Sequence, residues 1–147
     1  MSSIEAAAGI LLRAEIERIK KLYNDVKFRG KPPRNLKCAQ VMSQIGIASI
    51  CSMKKQSGRY DDVIHWRAVS GNDVDGEKYA TQLMAPYEQR LPDSLSTKLW
   101  IGASEAMTNV SHHAYIGNRD DGLRDAHFEE RQWWMFSQER RSELQVV

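Results

Sequence analysis

The chain has 147 residues, 41% of them hydrophobic and 27% charged, and a formal net charge of +2 from 21 basic and 19 acidic side chains. One domain, or one domain with a short extension, accounts for that length. The charge balance gives no reason to expect a nucleic-acid or membrane surface, and no stretch reaches the roughly 18 consecutive apolar residues of a membrane span.

Two cysteines are too few for a disulfide framework. Cys38 and Cys51 sit in apolar surroundings, KCAQV and ASICSM, and are expected to be buried free thiols. Neither belongs to a C-x-x-C, so a structural zinc site has little support. The N-terminus MSSIEAAAGILLRAEIERIKK turns amphipathic too early for a secretory leader, which points to a cytoplasmic protein.

The first predicted element is a helix over about residues 3 to 27. Ser2 and Glu5 fit a capping box. Leu12, Ile16, Ile19, Tyr23 and Val26 recur at spacings of four and three and form one apolar stripe, with Arg13, Glu15, Glu17, Arg18, Lys20 and Lys21 on the other faces. This helix is expected to pack on its own domain. It is also the candidate contact for a protein partner or for a second copy of the chain. GKPPRN, residues 30 to 35, stops it.

A second helix follows over about 36 to 45, ended by Gly46, and IASICSM reads as a strand. KKQSGRYDD is a polar loop with a turn at Ser57-Gly58. DVIHWRAVSG, residues 62 to 71, alternates as a strand with Val63, His65, Arg67 and Val69 on one face. A capped helix over about 74 to 90 turns Leu83, Met84 and Tyr87 inward, and Pro86 kinks or shortens it. The next helix spans about 93 to 115, capped by Asp93 or Ser94. Its expected core stripe is Leu95, Leu99, Ala103, Ala106, Met107 and Val110, with Gly102 and Ala103 small enough for close contact. NRDDGLRDAHFEE is a polar loop. RQWWMFSQER and SELQVV then form a hairpin about the turn RRS, with Trp134 and Phe136 facing one way and Trp133, Met135 and Ser137 the other.

The class that emerges is α/β in a two-layer sense: helices packed on one face of a mixed, mainly antiparallel sheet. Residues 1–61 form a helical extension and residues 62–147 the main domain.

The long second-half helix carries an unusual polar face. Glu105, Asn109 and His113 stand at four-residue intervals and project together, with His112 one step round and Ser104 and Thr108 flanking the row. The row has no Lys, Arg or Asp. It offers a carboxylate base, a neutral oxygen suited to a hard cation, and imidazoles that hydrogen-bond or carry charge. Spacing alone favours a solvated helix face, or a polar seam against a loop.

The segment EAMTNVSHHAY resembles the N box of the histidine-kinase/gyrase-type (GHKL) ATPase superfamily, in the version found in anti-sigma-factor serine kinases, where E-A-x-x-N-x-x-x-H-A-Y recurs. The agreement covers Glu105, Ala106, Asn109, His113, Ala114 and Tyr115. With the flanking strand, helices and hairpin it extends over residues 62–147. The resemblance implies a partial Bergerat-type fold that binds ATP and Mg²⁺. Asn109 would ligate the metal, Glu105 would act as general base, and His112 or His113 would lie near the phosphates. It also implies a regulatory kinase or ATPase activity, and such domains are commonly paired with phospho-regulated partner domains.

One departure stands beside this agreement. The superfamily's adenine-binding D-x-G-x-G is expected directly after ELQVV, and the 147 residues contain none; Asp120-Asp121-Gly122 lies before the hairpin. The chain is therefore expected to hold the metal-and-base half of a nucleotide site and to bind ATP weakly or not at all by itself. The rival reading is a non-catalytic interaction module that uses the first helix and the WW-rich hairpin. A metal site from His112, His113 and His127 has little support, because adjacent histidines leave a helix in different directions.

Overall fold

The computed structural model describes residues 6–58, 60–64, 66–85, 87, 90–114, 132–140 and 143–146. The elements are α1 (Ala6–Leu22), α2 (Leu36–Gln44), α3 (Ile47–Ile50), α4 (Asp61–Ile64), β1 (Arg67–Gly71), α5 (Gly76–Met84), α6 (Asp93–Asn109), a π-helical turn (Val110–Ala114), β2 (Trp133–Arg140) and β3 (Glu143–Val146). The protein is thus a mixture of helix and strand. The three strands form one sheet in the order β1-β2-β3. β2 and β3 pair antiparallel, from Ser137 opposite Val146 to Arg140 opposite Glu143, which is the expected hairpin.

The chain divides into two compact units, Met1–Ala68 with Met135–Val147, and Val69–Trp134. The core of the first gathers Ile16, Val41, Ile45, Ile47, Cys51, Val63, Trp66 and Phe136. Phe136 is fully buried and meets Trp66 edge-on, with ring centroids 5.2 Å apart. Both cysteines are free and buried, as expected. Burial pushes the Cys51 thiol up, and the positive charge of Lys20 partly opposes it.

Two of the helix boundaries follow from local chemistry. Asn35 caps α2, its side chain accepting from the Cys38 amide. Gly46 ends the same helix in a left-handed conformation, φ 85°, where a Cβ would be strained.

Beyond Gly46 the structure corrects the expected strand: IASI is the short helix α3. Ser49 and Ile50 donate to the Gly46 carbonyl and restart the helix. A four-residue apolar run is ambiguous between a strand and a buried helical turn, and here the glycine decides. The helix ends in a Schellman arrangement: Ser52 donates to Ser49, Met53 donates to Ala48, and Ser52 takes the left-handed φ of 51° usually left to glycine.

The strand expected over 62–71 begins only at Arg67. Its first residues form α4, where Val63 donates to the Tyr60 carbonyl and the Trp66 indole donates to the Asp62 carbonyl at 2.9 Å. These local bonds outweigh the alternating pattern. His65 lies outside the described residues.

The first helix is shorter than its apolar pattern, ending at Leu22. Of the expected stripe only Ile16 is buried; Leu12, Tyr23 and Val26 are exposed. Arg18, placed by the pattern on a polar face, is buried and paired with Glu15 at 2.8 Å. Arg13 reaches across to the carbonyls of Ile45 and Ala68, both at 3.2 Å, while holding Glu17. The guanidinium thus ties the end of α2 to β1, two places that a stripe analysis treats as remote. The expected capping box at Ser2 and Glu5 lies outside the described residues.

In the second unit α5 turns Leu83 and Met84 inward, as predicted, and Tyr87 beyond it is buried. The helix stops at Met84, ahead of Pro86, which itself lies outside the described residues. Trp133 is buried: its indole donates to the Asp73 carbonyl at 2.7 Å, and its ring meets Tyr79 edge-on at 4.5 Å. Both rings close over Gly71. A Cβ there would lie 2.5 Å from the Tyr79 hydroxyl and 2.9 Å from the Trp133 ring, so only glycine fits. Trp134 is half-buried.

Candidate functional site

Helix α6 starts at a proline. Pro92, at φ −59°, occupies the cap position with no side-chain bond, and its carbonyl receives the amides of Leu95 and Ser96 at 2.9 and 3.0 Å. The cap expected of Asp93 or Ser94 is therefore Pro92, whose fixed φ suits a helix entry. Asp93 stands in the first turn instead, where the helix dipole favours a carboxylate.

The inner face of α6 is anchored at Met107, 1% exposed. Leu99, Ala103 and Val110 are half-buried, whereas Leu95 and Ala106, expected in the core, are exposed. Gly102 has open space around its Cβ position, so it makes no close packing contact. These differences show a helix held along a narrower strip than its pattern predicts.

The outer face is continuous. Ile101, Glu105 and Asn109 follow one another at four-residue steps and are all exposed. His112 and His113 are exposed as well, with ring centroids 6.0 Å apart and planes nearly perpendicular. Among the described residues, Glu105, Asn109, His112 and His113 hold no side-chain hydrogen bond or ion pair.

The α-helix does not run to Tyr115 as a regular element. It ends at Asn109 and widens into the π-helical turn Val110–Ala114. One turn earlier Thr108 bonds back to the Ser104 carbonyl at 2.9 Å, a contact that tends to bend helices. Four α-helical residues overshoot a full turn by about 40°, at roughly 100° per residue. A π-turn rotates less per residue. The step from Asn109 to His113 therefore does not carry the imidazole further round the helix, and His113 stays on the Glu105–Asn109 side. No pattern in the sequence VSHHA marks this turn. Tyr115, the last residue of the recognised segment, lies outside the described residues.

The chemistry of the row suits a hard cation. Glu105 offers a carboxylate and Asn109 a neutral amide oxygen, one helical turn or about 6 Å apart along the axis. Mg²⁺ takes one or two such protein oxygens together with phosphate and water. Both residues belong to the last turns of α6, the end where the macrodipole favours positive charge. Among the described residues no group of three or more His, Cys, Asp or Glu side chains could hold a metal ion, and His127 lies outside them. The row would thus share a metal with a ligand and could not cage one alone.

Among the described residues no helix is long and apolar enough to cross a membrane. No family model, curated protein or solved structure matches the chain.

Proposed function

We propose that the second half of the chain carries the metal-and-base half of an ATP site of the histidine-kinase/gyrase type, in a regulatory kinase-like ATPase domain. In this reading the helices lie on one face of a mixed, mainly antiparallel sheet, as the two layers of a partial Bergerat-type fold. The observation that carries the proposal is the exposed row Glu105–Asn109, uncommitted among the described residues and continued by His112 and His113. The identities E-A-x-x-N-x-x-x-H-A-Y add to it.

Asn109 holds the cation through its side-chain oxygen. Glu105 accepts the proton of the attacking water or hydroxyl, for which it must come within hydrogen-bond reach of the nucleophile. His113, with His112 beside it, donates to phosphate oxygens. Mg²⁺ held by Asn109 would supply positive charge against the phosphates.

Calorimetric titration with ATP and Mg²⁺ tests this. Weak binding by the 147-residue chain is expected, and firm binding once a D-x-G-x-G segment is supplied after Val147. Asn109→Ala removes the Mg²⁺-dependent part. No binding by either form contradicts the proposal. It would favour the second reading, a non-catalytic interaction module, to which the exposed Leu11 and Leu12 of α1 lend support.

A further inference from the structure

The small net charge of +2 conceals a strong local asymmetry. Residues 20–37 contain Lys20, Lys21, Lys27, Arg29, Lys31, Arg34 and Lys37 against Asp25 alone, a net +6, and Lys54 and Lys55 raise this to +8. Subtracting +8 from +2 leaves the rest of the chain at −6.

The fold of the first unit organises these charges. Val26 donates to the Tyr23 carbonyl at 3.0 Å, making a turn that leaves Tyr23 55% exposed. The chain then runs without helix or strand from Val26 to Pro33. Phe28 packs against the core, and Gly30 donates its amide to the Cys51 carbonyl at 2.9 Å. These two even positions are tied inward, and the odd positions Lys27, Arg29 and Lys31 are exposed. Alternate residues of extended backbone stand roughly 6–7 Å apart on one side.

A Cβ on Gly30 would meet the Met53 sulfur at 2.9 Å, so the two segments are in close contact there. Lys54 and Lys55, both exposed, follow Met53 directly. Lys20 lies close enough to Cys51 for its charge to act on the thiol. Among the described residues none of Lys20, Lys27, Arg29, Lys31, Lys54 and Lys55 is held in an ion pair.

A fixed ladder of like charges repels itself and attracts a ligand whose negative charges repeat at a similar interval. A small anion would need converging donors in a recess, whereas these side chains are exposed and spread along the chain. An anionic membrane recruits basic residues along an amphipathic helix or beside a membrane span, and these stand on non-helical backbone. The exposed Tyr23 ring at the head of the ladder adds a stacking face. Basic side chains tracking a backbone beside an aromatic platform are the means by which single-stranded nucleic acid is held without regard to sequence.

We propose that Lys27, Arg29 and Lys31, with Lys54 and Lys55 beside them and Tyr23 at one end, form a binding surface for the phosphate backbone of single-stranded nucleic acid. These residues belong to the first unit, and those of the α6 row to the second.

The test is fluorescence anisotropy of the 147-residue chain with a labelled oligo-dT or oligo-U of about twelve nucleotides. Binding should weaken with salt, with a log–log slope of about −0.7 per phosphate contacted. The triple variant K27Q/R29Q/K31Q should lower the magnitude of that slope by about 2 and weaken binding at least about tenfold at low salt. The charge-retaining K27R/K31R should bind like wild type, and Tyr23→Ala should weaken binding with little change of slope. Circular dichroism melts establish that each variant is folded. Unchanged affinity in the folded triple variant overturns the proposal. So does absence of binding by wild type at low salt, or equally tight binding to poly-glutamate or to phosphatidylserine vesicles.

Discussion

Helices α2 and α6 both carry polar side chains on one face, and they use them in opposite ways. In α2 the polar groups are consumed by the fold. Gln40 is fully buried and exchanges two hydrogen bonds of 3.1 Å with the backbone of Tyr60. Ser43 donates to the Ala39 carbonyl and accepts from the Gln56 amide, both at 2.9 Å. Together they fasten the loop that leads into α4. On α6 and the π-helical turn that follows it, Glu105, Asn109, His112 and His113 are exposed and take no side-chain hydrogen bond or ion pair among the described residues. A polar residue needed for folding is recognised by its buried partners; the exposed row has none among the described residues, and in the proposed function it serves a ligand. The contrast separates two rows that look alike in sequence.

Substitutions sharpen that contrast, and the largest effects belong in the first unit. Phe136→Ala should cost about 3–5 kcal/mol, because the ring is fully buried against Trp66; thermal or urea denaturation reads the loss. Gln40→Ala should cost about 2–4 kcal/mol, since it leaves both the amide and the carbonyl of Tyr60 without their partner. In the second unit Gly71→Ala should cost about 1–3 kcal/mol by overpacking against Tyr79 and Trp133.

Smaller changes test the details. Ser52→Gly should stabilise by about 0.5–1 kcal/mol, because it relieves a left-handed φ of 51° at the end of α3. Cys51 adds a pH dependence. Its folded thiol is raised above the ordinary value of 9.0 by burial, so the unfolded chain ionises first as pH rises. The stabilisation is fully present below that value and is lost as pH rises through the higher folded pKa. Wild type should therefore lose melting temperature above about pH 9 more steeply than Cys51→Ala. Glu105→Gln and Asn109→Ala should leave stability within about 0.5 kcal/mol, as exposed residues with no side-chain partner among the described residues. A larger loss would erase the distinction between α2 and α6.

Much of the architecture was legible in the sequence. Gly46 ends α2 where the sequence places its stop, and the apolar runs around Trp133 and Leu144 place the hairpin; the Asn35 cap emerged only in the structure. What was missed has a common cause. The IASI helix, the α4 turn and the cap at Pro92 are fixed by one or two backbone bonds each, to the carbonyls of Gly46, Tyr60 and Pro92, which periodicity over a few residues does not encode. The burial of Arg18 and the reach of Arg13 are long-range effects of the same kind. On the candidate site, spacing placed Glu105 and Asn109 together. The widening at Val110–Ala114 was not legible, because a π-turn has no composition of its own.

In the proposed function the Glu105–Asn109 row receives a metal–nucleotide complex, whereas Gln40 and Ser43 of α2 bond within the fold. Nuclear magnetic resonance with Mn²⁺·ATP reads it directly, since the paramagnetic ion broadens nearby signals even in a weak complex. The account predicts that the Asn109 side-chain amide and the ring protons of His113 broaden first, and that the Gln40 amide stays sharp. Uniform broadening, or loss of the Gln40 signal ahead of Asn109, would contradict it.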